Sequence, residues 1–133
     1  MIDDAGIVEF LVREFPGTAV VYRFGSTAAG LEGPASDIDL AFLPEAPVDP
    51  VRRFEVQERL AARLRKDVDL VDLCSASTVL RMQVLAGGRA IGVLDRDRTE
   101  RFEDLVFATY PRFNEERRGI LADIREKGSV YGG

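Results

Sequence analysis

Histidine is absent from the 133 residues. That excludes His-based catalytic triads, histidine general bases and His-ligated zinc together. Any chemistry has to run on carboxylates, hydroxyls, arginine and a borrowed metal. Cysteine is present once, as Cys74, so no disulfide closes within the chain. The expectation for it is a small apolar filler in a reducing, cytoplasmic setting. No apolar run reaches the roughly 18 residues of a membrane-crossing helix. Met1-Ile2-Asp3-Asp4 lacks the basic start and apolar core of a secretory signal. Basic charge is not in excess: the net charge is −5, which argues against non-specific nucleic-acid binding. Neither a membrane nor a nucleic-acid partner is expected. Lysine is scarce, since all but Lys66 and Lys127 of the 18 basic residues are arginine.

What remains is 46% hydrophobic and 31% charged, ordinary for a globular chain. The length predicts one domain over 1–133 with a core of useful size. Ile7, Val8, Leu11 and Val12 have helical spacing, which predicts a helix over 4–14, capped by Asp3 or Asp4 and stopped at Pro16-Gly17. Thr18 to Phe24 is rich in β-formers and reads as a first strand, apolar enough to be covered on both faces. Asp37 to Leu43 reads as a second, with Ile38, Leu40 and Phe42 facing one way and Asp37, Asp39, Ala41 and Leu43 the other. The proline-rich 44–50 is a linker.

Residues 50–65 predict a helix with an apolar side of Val51, Phe54, Val56, Leu60, Ala61 and Leu64. Its wet side is read as Arg52, Arg53, Glu55, Gln57, Glu58 and Arg63. A third strand follows at Val68 to Leu73, then a helix over about 76–86 capped by Ser75 or Ser77. A short strand spans Ala90 to Leu94. A C-terminal helical region covers about 97–127, broken at Pro111, with a frayed tail at 128–133. Alternating strands and helices predict an α/β (α+β) fold, a small mixed sheet backed by helices.

The densest chemistry lies between Val20 and Leu43. Asp37 and Asp39, two apart on a strand, share a face with their roots about 7 Å apart. Two carboxylates on one face suit Mg²⁺, a hard cation that takes oxygen ligands and keeps waters or phosphates in its remaining positions. Gly25 lets a backbone approach a phosphate closely, and the amides after it, with the Ser26 hydroxyl, would donate to it. Asp67, Asp69 and Asp72 offer a further carboxylate from a neighbouring strand. Alternation puts Asp72 on the face opposite Asp69, and Asp67 at the strand's start. Ser36 reads as a turn residue and Arg23 as half of a structural salt bridge.

Gly25-Ser26, ten residues, then Asp37-x-Asp39 resembles the signature of the DNA polymerase β-like nucleotidyltransferases. The length and Val68-Asp69-Leu70-Val71-Asp72-Leu73 resemble its minimal nucleotidyltransferase (MNT) subgroup, whose members often act as antitoxins beside a HEPN-type toxin. The resemblance is strong over about 15–75. It implies a polymerase β-like fold with the carboxylates on the open face of the sheet. It also implies two Mg²⁺ held by Asp37, Asp39 and Asp69, with Asp69 the third catalytic acid, and ATP gripped at Gly25 and Ser26. Relatives often carry an arginine in a Gly-Ser-x-Ala-Arg-Gly loop, where this chain has Ala29. Losing such a charge-assisted contact weakens triphosphate binding by roughly 1.5–3 kcal/mol.

Three functions are weighed. The first, which the resemblance implies, is Mg-dependent transfer of AMP from ATP to a hydroxyl, a tyrosine of a cognate HEPN toxin. The chain has no room to grip a small-molecule or nucleic-acid acceptor, which favours a protein one. The second is a non-catalytic antitoxin that neutralises by occlusion, in complex with the toxin; Ala29 is its support. The third is an aminoglycoside-type transferase, which usually needs an added domain or dimer. Phe102, Phe107, Tyr110 and Phe113 read as core, with a lesser reading, beside Arg112, Arg117 and Arg118, as a partner-binding face.

Overall fold

The computed structural model describes residues 3–25 and 37–109. The elements in order are α1 (Asp4–Glu14), β1 (Val20–Phe24), β2 (Ile38–Phe42), α2 (Pro50–Leu64), β3 (Val68–Asp72), α3 (Thr78–Gly87), β4 (Arg89–Val93) and α4 (Arg96–Ala108). The expected turn at 26–30, the helix over 114–127 and the tail at 128–133 lie outside the described residues, as do Ser26, Ala29, Ser36, Tyr110, Phe113 and Arg112, Arg117 and Arg118. None of the helices among the described residues is long and apolar enough to cross a membrane.

Each described helix starts where a short acceptor side chain meets its first free amides. Asp3 accepts from the Gly6 amide at 2.9 Å, Asp49 from Arg52 at 3.1 Å, Ser77 from Leu80 at 3.1 Å and Asp95 from Arg98 at 3.1 Å. Pro50 sits at the start of α2, where its missing N–H has no bond to lose.

The strands form one mixed sheet in the order β3-β2-β1-β4. β1 runs antiparallel to β2 and β4, and β2 parallel to β3. Both faces are covered. Val21, Ile38, Leu40, Phe42, Val68 and Leu70 pack under Ile7, Phe10 and Leu11 of α1 and Val56, Leu60 and Leu64 of α2. Val20, Tyr22 and Ala41 pack under Val84 and Leu85 of α3 and Val106 and Phe107 of α4. The split of Ile38, Leu40 and Phe42 from Ala41 and Leu43 is the alternation read from the sequence. Phe102 and Phe107 belong to the second layer. Tyr22 is buried, and its hydroxyl donates to Glu103 of α4 at 2.7 Å.

The expected apolar side of α2 is corrected at its N-terminal end. Val51 and Phe54 are 64% and 53% exposed. Arg53 and Gln57, read as its wet side, turn instead toward the sheet. Arg53 Nη1 donates to the Leu70 carbonyl at 2.9 Å, and the Leu70 amide donates to Gln57 Oε1 at 2.9 Å. β3 is an edge strand, whose outward backbone groups need partners, and at Leu70 these two side chains supply them. Arg52 does face outward: with Arg59 it holds Glu14 of α1, and the Arg59 hydrogen bond, with both positive charges nearby, lowers the Glu14 pKa.

Candidate active site

The end of the sheet where β1 finishes and β2 and β3 begin carries the acids. Phe24 of β1 stands opposite Asp39 of β2, and Asp39 stands beside Asp69 of β3 in the parallel register. Neighbours in register point to the same face, so carboxylates from two strands emerge together. Asp37, two residues earlier, joins that side. Asp37 and Asp69 are exposed and Asp39 is half-buried.

The electrostatics report the convergence. Burial pushes the Asp39 carboxyl above its ordinary pKa, and the charges of Asp69 and then Asp37 push it further. Like charges held this close favour a proton or a cation between them. The donors are all carboxylate oxygens, which is the chemistry a hard cation takes. Among the described residues no three His, Cys, Asp or Glu side chains are grouped closely enough to hold a metal ion by themselves. A Mg²⁺ ion at these carboxylates would complete its shell with waters or substrate phosphates.

Gly25 completes this end. Its φ is +74°, in the region that disfavours every side chain but glycine's hydrogen, and a Cβ built there would overlap the Asp39 carboxylate. Glycine is therefore favoured twice, by the turn and by the acid it touches.

The remaining candidates separate cleanly. Asp72 shares the side of Phe42, its register partner, and is 4% exposed. Its carboxylate accepts from the Val48 amide at 2.8 Å, the Cys74 amide at 2.8 Å and the Ser75 hydroxyl at 3.0 Å. It ties the linker after β2 to the turn after β3 and is remote in orientation from Asp39. Asp67 is exposed just before β3, and its carbonyl accepts from the Ile38 amide at 2.9 Å, opening the β2–β3 ladder. Arg23 is ion-paired to Asp4 at 2.7 Å, and Arg89 joins the same carboxylate at 3.1 Å, so Arg23 is structural as the sequence reading has it. Cys74 is half-buried against the Pro44 carbonyl, and burial raises its thiol pKa. The sequence reading missed Arg53 and Gln57. Their signal was a polar pair four apart on the helix just ahead of the acidic strand, where both side chains reach the same side.

A relative from Shewanella oneidensis, the protein adenylyltransferase MntA, is 36% identical over 123 residues, 92% of this chain and 88% of its own. A crystal structure of a toxin–antitoxin with AMP-PNP contains a chain 35% identical with a TM-score of 0.77, covering 93% of this chain and 99% of that one. A structure of tri-AMPylated Shewanella oneidensis HEPN toxin in complex with MNT antitoxin matches at 34% identity with a TM-score of 0.70, over 92% of this chain and 95% of that one. The sequence profile described as polymerase beta, nucleotidyltransferase matches residues 7–98, which takes in the whole sheet and its acidic end, and the chain belongs to that nucleotidyltransferase family.

Proposed function

We propose that this chain is a protein adenylyltransferase that moves AMP from ATP to a hydroxyl, a tyrosine on a cognate HEPN-type toxin, and so acts as an antitoxin in the cytoplasm. The observation that carries the reading is the pairing of Asp39 with Asp69 across two parallel strands, beside a glycine whose positive φ and close approach to Asp39 disfavour any side chain. A 36% identical relative that is a protein adenylyltransferase, and a similar chain crystallised in a toxin–antitoxin with AMP-PNP, support it.

Asp37, Asp39 and Asp69 would hold Mg²⁺ and Gly25 and Ser26 the triphosphate. When bound, Mg²⁺ supplies charge neutralisation at the phosphoryl oxygens. Asp69, exposed at the mouth of the site, takes the proton of the acceptor hydroxyl. The hydroxyl oxygen forms its bond to the α-phosphorus as the bond to pyrophosphate breaks, and pyrophosphate leaves with that electron pair. Asp39, half-buried, holds the fixed end of the acidic pair, and Gly25 keeps the backbone low enough for a phosphate to approach. Positioning and charge neutralisation are most of what such a transfer asks of a protein.

The second reading is neutralisation by occlusion, favoured by Ala29 in the loop. One experiment separates them. The chain is incubated with its toxin partner and Mg-ATP, and the partner's intact mass is measured. The expected result is mass gained in whole AMP units, abolished in Asp39→Ala, with loss of neutralisation in the Asp37→Ala, Asp39→Ala double variant. An unmodified partner that the double variant still neutralises would establish occlusion instead.

A further inference from the structure

β3 is held on one side only. Its inner edge pairs with β2, and parallel pairing is the less stable kind per residue. Along that ladder the Ile38 amide bonds to Asp67 and the Leu73 amide to Phe42, so odd-numbered residues of β3, Asp69 among them, turn their backbone groups inward. Leu70, the next residue, turns its own outward. There the Leu70 amide meets Gln57 Oε1 and the Leu70 carbonyl meets Arg53 Nη1, both at 2.9 Å, with Arg53 also 3.3 Å from Gln57 Oε1. The two side chains, four apart on α2, present one acceptor and one donor to a single peptide residue, as a neighbouring strand would. Val56, Leu60 and Leu64 anchor α2 to the same layer that buries Leu70.

We propose that Arg53 and Gln57 are positioning residues that fix Asp69 beside Asp39 by substituting for the missing strand at the outer edge of β3. The inference rests on the reading of Asp69 as a magnesium-holding acid. Without the clamp, the strand carrying Asp69 is tied to the fold from the β2 side and by its buried side chains, and its register with Asp39 loosens. Groups hydrogen-bonded directly to a metal ligand commonly govern affinity or rate by about 10–100-fold, and a clamp on the neighbouring peptide acts at or below the low end of that range.

The test uses the full chain and its half-saturating Mg²⁺ concentration for AMP-PNP uptake, measured by calorimetry, alongside the thermal midpoint. Gln57→Leu keeps the size and removes the acceptor; its Mg²⁺ requirement is expected to rise severalfold, up to about 10-fold, the low end for support of a metal ligand. Gln57→Glu restores an oxygen to the Leu70 amide and should return the requirement to near wild type. Arg53→Met removes the carbonyl contact and the Arg53–Gln57 hydrogen bond but leaves the Gln57 acceptor on the Leu70 amide, and should raise the requirement by a smaller factor. A purely structural clamp would lower the thermal midpoint and leave the requirement of the folded protein unchanged, which would overturn the proposal. Should Gln57→Leu fail to fold, a wild-type requirement in folded Arg53→Met overturns it equally. Asp69→Asn separates the two claims. If it removes Mg-dependent uptake while Gln57→Leu behaves as wild type, the clamp proposal alone falls. If Asp69→Asn itself behaves as wild type, both fall.

Discussion

Asp39→Asn is expected to abolish AMP transfer and, at neutral pH without added metal, to raise the thermal midpoint. Asp39 sits half-buried between two other acids, and its pKa is raised by burial, by Asp69 and by Asp37. An acid with a raised folded-state pKa binds its proton more tightly in the native than in the unfolded chain. Stability from this group therefore falls as pH climbs from its unfolded value through its folded one, and the penalty is full above that range. An amide of the same shape carries no such penalty. On the proposed reading the same change also removes a carboxylate from the set that would hold magnesium. Losing the several kcal/mol of charge stabilisation that such a site supplies slows transfer by about a thousandfold or more. Melting curves from pH 4 to 8 and intact-mass assays check both halves. Wild type should lose ground to the variant as pH rises, and an Asp39→Asn protein less stable than wild type at pH 7 would contradict the electrostatic account.

Gly25→Ala is the second large effect, and it should damage stability and activity together. The φ of +74° costs an L-residue about 1–2 kcal/mol. The new methyl would also overlap the Asp39 carboxylate, so either the turn or the acid must move. A displacement of about 1 Å at a reacting centre costs about 100-fold in rate. The expected protein melts lower than wild type and transfers AMP about 100-fold more slowly even where fully folded. Because the methyl meets the Asp39 side chain itself, the losses in Gly25→Ala and Asp39→Asn should combine less than additively in the double variant.

Much of this end of the molecule was legible because strand alternation is a rigid rule. Ile38, Leu40 and Phe42 had to share a side, so Asp37 and Asp39 had to share the other, and the same rule set Asp69 against Asp72. Alternation alone did not show that Asp72 is a buried acceptor for three donors, because those donors come from the linker and turn flanking the strands. The acids were expected on an open face of the sheet. Both faces are covered, and the acids lie at the end of the face that α3 and α4 cover.

Helix α2 was misread for a different reason. At about 100° per residue, Arg53 falls on the side of Val56, Leu60 and Leu64, while Val51 and Phe54 fall on the far side. Residue hydropathy pointed one way and angular position the other, and position prevailed. A buried strand edge accepts a polar side chain that satisfies its backbone, so Arg53 and Gln57 found places there. The exposed Val51 and Phe54 are single apolar residues of a kind most surfaces carry.

The central claim is that acids from two strands converge on divalent ions beside Gly25. Crystals of the full chain grown with Mn²⁺ and AMP-PNP, and measured for anomalous scattering from manganese, test it most directly. The account predicts anomalous density in contact with the carboxylates of Asp37, Asp39 and Asp69, with the nucleotide's phosphates against the Gly25 turn. Manganese bound elsewhere, or nucleotide bound with no metal between those three acids, would contradict it.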